Sequence, residues 1–206
     1  GDGPPRHVFL GRDGARLEGD WRQAQPFSEG LAAVGRSKDN LLSGATMQVW
    51  VYIGTDGKVA VAGDWFRADP FSEGRAYVER PDAGPRFIDK EGKVLFEVKV
   101  TLHAIRPFSE GMAAFQGIEA RSGFIDATGK VVIEPIYESV GDFHDGRATF
   151  AEGGLMGFLD KEGKPAIEAK KWRLDDFLGG LARYRHADRS WGYIDTAGKE
   201  VWAAKR

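Results

Sequence analysis

The sequence Phe27-Ser28-Glu29-Gly30 returns as Phe71-Ser72-Glu73-Gly74 and again as Phe108-Ser109-Glu110-Gly111. Looser copies follow at Phe143-His144-Asp145-Gly146 and Phe177-Leu178-Gly179-Gly180. From one Phe to the next the steps are 44, 37, 35 and 34 residues. A period in this range requires stacked supersecondary units rather than one irregular core. A second element alternates with the first and is plainest at Gly123-Phe124-Ile125-Asp126-Ala127-Thr128-Gly129-Lys130. Its other copies begin at Val8, Val51, Arg86, Gly157 and Gly192. A repeat array grows by units, so residues 1–206 read as one continuous domain with hairpins starting near 8, 51, 86, 123, 157 and 192.

Aligned by eye, the copies separate structural columns from variable ones. Phe9, Tyr52, Phe87, Phe124, Phe158 and Tyr193 form an aromatic column; Leu10, Ile53, Ile88, Ile125, Leu159 and Ile194 form the aliphatic column beside it. Neighbouring residues on a strand point to opposite faces, so this strand is apolar on both. The return strand repeats the signature at Val94-Leu95-Phe96 and Val131-Val132-Ile133. A hairpin of this kind must be covered on both faces, which here means sheets stacked on sheets.

Between the two strands runs Asp-x-x-Gly-Lys, from Asp89, Asp126, Asp160 and Asp195. Gly92, Gly129, Gly163 and Gly198 fit a position that needs positive φ, and the Asp accepts backbone N–H groups inside the turn. After each Phe segment a short strand places Ala32, Ala76, Ala113, Ala148 and Ala182 in one column, with Val34, Val78, Phe115, Phe150 and Tyr184 two residues on. These point inward. The alternate positions, among them Leu31, Tyr77, Met112, Thr149 and Arg183, vary freely and are expected to point outward.

These two motifs in this order resemble the WG-repeat family of bacterial β-repeats, over roughly Val8 to Trp202. The name-giving dipeptide is intact only at Trp191-Gly192; Val51 and Arg86 stand where two copies would have the Gly. The resemblance implies a binding or scaffold role and no catalytic residues. The expected fold is all-β: a repeat array of about five to six three-stranded β-units, either an open β-repeat superhelix or a small-bladed β-propeller. Six hairpins but five Phe segments leave the same half-unit at both ends, which favours the open array.

Reactive constellations are missing. Calcium requires several oxygen ligands in one loop, and each Asp-x-x-Gly-Lys turn offers one Asp followed by a Lys. Glu29, Glu73 and Glu110 could supply a carboxylate pair for glycoside hydrolysis, but residues repeated at fixed spacing are better read as turn or inter-unit hydrogen-bonding groups. His7, His103, His144 and His186 occupy unrelated repeat positions. We therefore expect no enzyme, no cofactor and no metal. Trp21, Trp65, Tyr137 and Trp172, five or six residues before each Phe, read as a core column.

Charge is nearly balanced, with 29 Lys and Arg against 31 Asp and Glu, which disfavours nucleic acid as a partner. No apolar run approaches the ~18 residues of a spanning helix, so membrane insertion is not expected. The absence of Cys excludes thiol chemistry and disulfides. The partner class expected is another protein, such as a toxin or effector met by a bacterial immunity or envelope protein. A carbohydrate or cell-wall ligand is the alternative. An extracytoplasmic site, periplasm or envelope, goes with that setting.

Function must sit where the copies diverge. Between the short strand and the next hairpin aromatic, four copies need 8 or 9 residues and the first needs 18. The excess, Ser37 to Gln48, reads as a polar loop carrying the adjacent apolar pair Leu41 and Leu42. Loop insertions on a repeat scaffold are common recognition sites. The expected contact surface is Leu31, Lys38, Asp39, Leu41, Leu42, Tyr77 and Met112.

Overall fold

A computed structural model describes residues 7–10, 16–39, 46–80, 82–170 and 172–204. Every regular element in them is a strand, with no helix among the described residues. The chain forms two compact units, Gly1–Val98 and Lys99–Arg206.

The first unit opens with a hairpin of β1 (His7–Leu10) and β2 (Arg16–Trp21). Two four-stranded antiparallel meanders follow: β3 (Gln23–Ala24), β4 (Leu31–Asp39), β5 (Thr46–Gly54) and β6 (Val59–Trp65), then β7 (Arg67–Ala68), β8 (Ala76–Arg80), β9 (Gly84–Ile88) and β10 (Val94–Glu97). The second unit holds three such meanders. Their strands are β11 (Leu102–Ile105), β12 (Met112–Gly117), β13 (Ser122–Asp126) and β14 (Val131–Tyr137); β15 (Ser139–Val140), β16 (Ala148–Glu152), β17 (Leu155–Leu159) and β18 (Pro165–Lys170); and β19 (Arg173–Leu174), β20 (Leu181–Arg185), β21 (Trp191–Asp195) and β22 (Glu200–Ala203). Each sheet is open, with an edge on either side. The sequence reading had three strands per unit. The fourth is the short stretch holding Ala24, Ala68, Ile105, Val140 or Leu174, which pairs with the Ala-bearing strand.

Both faces of the inner sheets are buried, as the double apolar columns require. On β4, Ala32 and Val34 pack with Trp21, Val51 and Ile53, while Leu31 and Ala33 pack with Tyr52, Phe71, Ala76 and Val78. In the second unit Met112, Ala114, Phe124 and Ile133 meet Phe143, Ala148, Phe150 and Leu159. The repeat Phe closes each stack edge-on against the aromatic column of the sheet before it: Phe71 on Tyr52 and Phe143 on Phe124, both with centroids 4.8 Å apart. Phe177 lies on Phe158 at 4.6 Å. The aliphatic column, Ile53 through Ile194, is buried throughout.

The hairpin turns follow the sequence reading. Asp126 Oδ1 accepts the Thr128 and Lys130 backbone N–H groups at 2.9 and 3.1 Å, and Gly129 sits at φ 86°. In the hairpin of β5 and β6, which has Gly54 in place of the leading Asp, Asp56 accepts the Lys58 N–H instead at 3.0 Å. The glycine that opens the motif has a different cause. A Cβ on Gly123 would lie 2.3 Å from the Ile133 carbonyl oxygen, and on Gly192 2.4 Å from that of Trp202. The return strand crosses so closely that only a missing side chain fits. Val51 stands at this column in the first unit, where it packs with Trp21 and Ala32.

The Phe-Ser-Glu-Gly segment is an inter-unit clamp. Ser28 Oγ donates to the Phe71 carbonyl at 2.6 Å, and Ser109 Oγ to that of Phe143 at 2.7 Å. Glu29 accepts the Gly74 N–H at 3.0 Å, Glu110 that of Gly146 at 2.9 Å, and Asp145 that of Gly180 at 2.8 Å. The acidic residue and the following Gly form a two-residue turn with both φ positive: Glu29 at 52° and Gly30 at 88°. Such primed turns match the twist of the strands they join. A non-glycine residue in the left-handed region costs about 1–2 kcal/mol, and here the carboxylate bond to the next sheet offsets that strain.

Candidate functional site

Three residues of the expected contact surface are covered. Leu31, Tyr77 and Met112, expected to face outward, are buried at 9%, 3% and 7% exposure. The reason is the stacking itself: an inner strand has no outward face, and alternate residues enter successive layers. Tyr77 packs edge-on to Phe87 at 5.5 Å and donates its hydroxyl to Glu79 at 2.7 Å. Burial, followed by that hydrogen bond, raises its phenol above the ordinary range.

The insertion is also more regular than a loop. Ser37 pairs with Gln48, Lys38 with Met47 and Asp39 with Thr46, so the segment lengthens the β4–β5 hairpin. Lys38 and Asp39 are exposed; Lys38 ion-pairs with Asp64, and Asp39 accepts the Thr46 hydroxyl at 2.9 Å. Leu41 and Leu42 lie outside the described residues.

A different surface stands out on the last sheet. Along β20 the exposure alternates strictly: Ala182 and Tyr184 are buried, while Leu181, Arg183 and Arg185 are exposed. The register carries that outer face across the sheet in rows. Arg173, Arg185 and Trp191 form one row; Arg183, Tyr193 and Trp202 form the next. Trp191 and Trp202 are 37% and 48% exposed, with centroids 4.9 Å apart, and Tyr193 joins them at 5.9 and 6.3 Å. Tyr52, Phe87, Phe124 and Phe158, which hold the place of Tyr193 in earlier sheets, are each 1% exposed or less. Tyr193 is only half-buried.

The clamp is lost at the same place. In the fifth copy Leu178 replaces the Ser and Gly179 replaces the acidic residue. The turn survives, with Gly179 and Gly180 at φ 63° and 81°, but neither side chain that would hold a following sheet is present. Leu178 is 87% exposed. The outer face of β19–β22 is therefore not made to receive another unit of this kind. This signal was legible in the sequence, as the copy that departs from Phe-Ser-Glu-Gly at both clamp positions, and the larger insertion near residue 40 overshadowed it.

Beside this face lies a cavity of about 780 Å³ lined by Gly154, Trp172, Arg173, Arg183, Arg185, His186, Ala187, Arg189 and Trp191. Trp172 stacks on Tyr184 at 4.9 Å, and the His186 ring stands edge-on to both. Burial, then the hydrogen bond to Glu200, pushes the Tyr184 phenol up to about 12. Arg183 is held by Asp175 at 2.7 Å.

Elsewhere the carboxylates serve the scaffold. Desolvation pushes the Glu29 carboxyl up, but Lys90 and the Gly74 N–H outweigh it, so Glu29 titrates below the usual glutamate range. Asp126 is likewise lowered, its turn hydrogen bonds outweighing desolvation. Among the described residues, no three His, Cys, Asp or Glu gather as a metal site would require.

Residues 86–116 and 123–155 match the family described as WG containing repeat. No curated protein matches the chain. Among solved structures, BamB from Moraxella catarrhalis is similar at 12% identity and a TM-score of 0.42, over 87% of this chain and 62% of that one. The WD40 beta propeller domain of Doa1 is similar at 11% identity and a TM-score of 0.39, over 89% and 64%. The chain spans under two thirds of the length of either.

Proposed function

We propose, for a chain that carries WG-containing repeats at residues 86–116 and 123–155, a non-enzymatic protein-binding role exercised through the outer face of β19–β22. The observation that carries the reading is the coincidence of two features on one sheet. The clamp that would seat a further unit is absent at Leu178 and Gly179, and Trp191 and Trp202 are exposed, with Tyr193 half-buried between them, beside Arg183 and Arg185. Tryptophan, tyrosine and arginine are the residues that most often dominate protein interfaces. The arginines fit an acidic partner surface.

The carboxylates the sequence suggested for catalysis support the same reading. Glu29 and Glu110 hold backbone N–H groups of the neighbouring sheet. The carbohydrate alternative predicts an equivalent exposed aromatic site in each unit, whereas the hairpin aromatics are buried from Tyr52 to Phe158. An immunity or envelope setting belongs to this proposal; a toxin-like reading frame beside the gene tests it.

The experiment captures a partner with the intact chain, purifies it and measures binding by calorimetry. Tyr193→Ala with Trp202→Ala should weaken binding at least tenfold, while removal of the hairpin tip leaves it unchanged. Equal affinity in the double variant would move the interface elsewhere. Retention on cell-wall material, lost in the same variant, would replace the protein reading with the carbohydrate one.

A further inference from the structure

We infer that the cavity beside the last sheet is a binding site for a small phosphorylated ligand, its phosphoryl group seated between Arg173 and Arg185. These two residues are direct cross-strand partners on one face. Like charges placed opposite each other destabilise a sheet, and no carboxylate among the described residues lies within ion-pair distance of either one or of Arg189. In the same unit the other described arginines are engaged: Arg106 with Asp142, Arg121 with Glu152, Arg147 with the Thr196 carbonyl and Arg183 with Asp175. The three arginines left without a partner among the described residues line one cavity.

The third of them is held there by the turn. His186 N–H donates to the Ser190 carbonyl at 2.8 Å and Arg189 N–H to that of His186 at 3.1 Å, with Arg189 at φ 70°. The corresponding turn after β12 places Ala120 at that position, at φ 57°. An arginine in a strained backbone position, where an alanine serves the same turn, brings a third guanidinium to the cavity. Guanidinium forks match phosphoryl oxygens two at a time. One carboxylate would leave most of this charge unneutralised, whereas a phosphoryl or diphosphoryl group carries two charges or more. Trp191 lines the cavity and offers ring surface to a base or sugar, and about 780 Å³ lies within the range for small-molecule sites of ~300–1,000 Å³.

Arg185 and Trp191 also belong to the face proposed for a protein partner, whereas Tyr193 and Trp202 do not line the cavity, so the two readings are tested apart. The test is calorimetry on the intact chain with pyrophosphate, adenosine diphosphate and citrate at fixed ionic strength. Pyrophosphate and the nucleotide should bind saturably, and Arg173→Gln with Arg185→Gln should weaken both by about tenfold or more, the effect of removing charge-assisted hydrogen bonds. Tyr193→Ala with Trp202→Ala should leave that binding unchanged. Without ligand the Arg173→Gln/Arg185→Gln protein should melt no lower than the parent, since it loses a repulsive contact. Should it fail to fold, Arg189→Gly, which relieves backbone strain, serves instead and should weaken pyrophosphate several-fold. Citrate binding as tightly as pyrophosphate, or phosphate affinity unaffected by the arginine variants, would overturn the assignment.

Discussion

Glu110 and Gly146 join successive sheets through one hydrogen bond: the carboxylate of the first accepts the backbone N–H of the second at 2.9 Å. Glu110 does this from a backbone at φ 52°, and Lys161 reaches its carbonyl oxygen at 2.8 Å. The strain in the turn and the bond across the stack thus belong to one residue.

This gives an ordered pair of variants. Glu110→Ala keeps the strained backbone and loses the carboxylate, and should cost about 1–2 kcal/mol. Glu110→Gly loses the same bond but relaxes the turn, and should cost about 1 kcal/mol less. Urea unfolding of the two variants checks the order, and a Gly variant less stable than the Ala variant would refute the account.

Gly123→Ala should be destabilising by about 1–3 kcal/mol, the usual cost of forcing atoms into a packed site. The obstacle is backbone, since the new Cβ meets the Ile133 carbonyl oxygen at 2.3 Å and Glu134 C at 2.8 Å. Gly111→Ala meets no atom within 4 Å, though its φ of 81° strains the backbone. Thermal melting of the two variants separates a crowded glycine from a merely left-handed one. A crystal structure of the first should show β14 displaced from β13.

Phe124→Ala should cost about 3–5 kcal/mol. Phe124 is fully buried and closes edge-on against Phe143. A loss under about 1 kcal/mol by chemical denaturation would mean that the aromatic column is not core.

Acid should loosen the stack in a defined window. The Glu29 and Asp126 carboxyls titrate below their ordinary values when folded, so their contribution is complete above the unfolded pKa values of about 4. It is lost as pH falls through the lower folded values. Urea midpoints should therefore hold steady from neutral pH to about 5 and decline below about 4. Glu29→Gln should flatten that decline, and an unchanged acid slope would exclude Glu29 as a contributor.

Removing Lys38 to Thr46 should leave a folded protein, because the segment extends a hairpin whose body is buried from Leu31 to Gly35 and from Val51 to Ile53. Circular dichroism and melting check this. Loss of folding would show that the ion pair of Lys38 with Asp64 and the paired extension are structural.

Much of the fold was legible because it is written in periods. Columns such as Phe124 and Ile125 declare two buried faces, and Asp126 with Gly129 declares a turn, all through local residue chemistry. Leu31, Tyr77 and Met112 were misplaced because variability in a column was taken for exposure. In a stack, a position can vary freely while buried, provided its counterpart on the next layer varies with it. The positive φ of Glu29 and Glu110 was not legible, since glutamate carries no preference for that region and the stabilising partner lies in another unit. The basic rim was missed for a simpler reason. Arg173 and Arg185 are twelve residues apart in sequence, and only the pairing of β19 with β20 makes them neighbours.

The clamp also gives the chain a direction. In each described pair the acidic side chain belongs to the earlier unit and the N–H to the later one, as Glu29 to Gly74, Glu110 to Gly146 and Asp145 to Gly180. Lengthening such a protein by duplication is then not symmetric. A copied middle unit brings both halves of the joint and can be spliced between its neighbours, whereas a unit appended after Leu178-Gly179 finds no acceptor waiting. The fifth copy acts as punctuation: length can change upstream of it while the surface it displays stays the same.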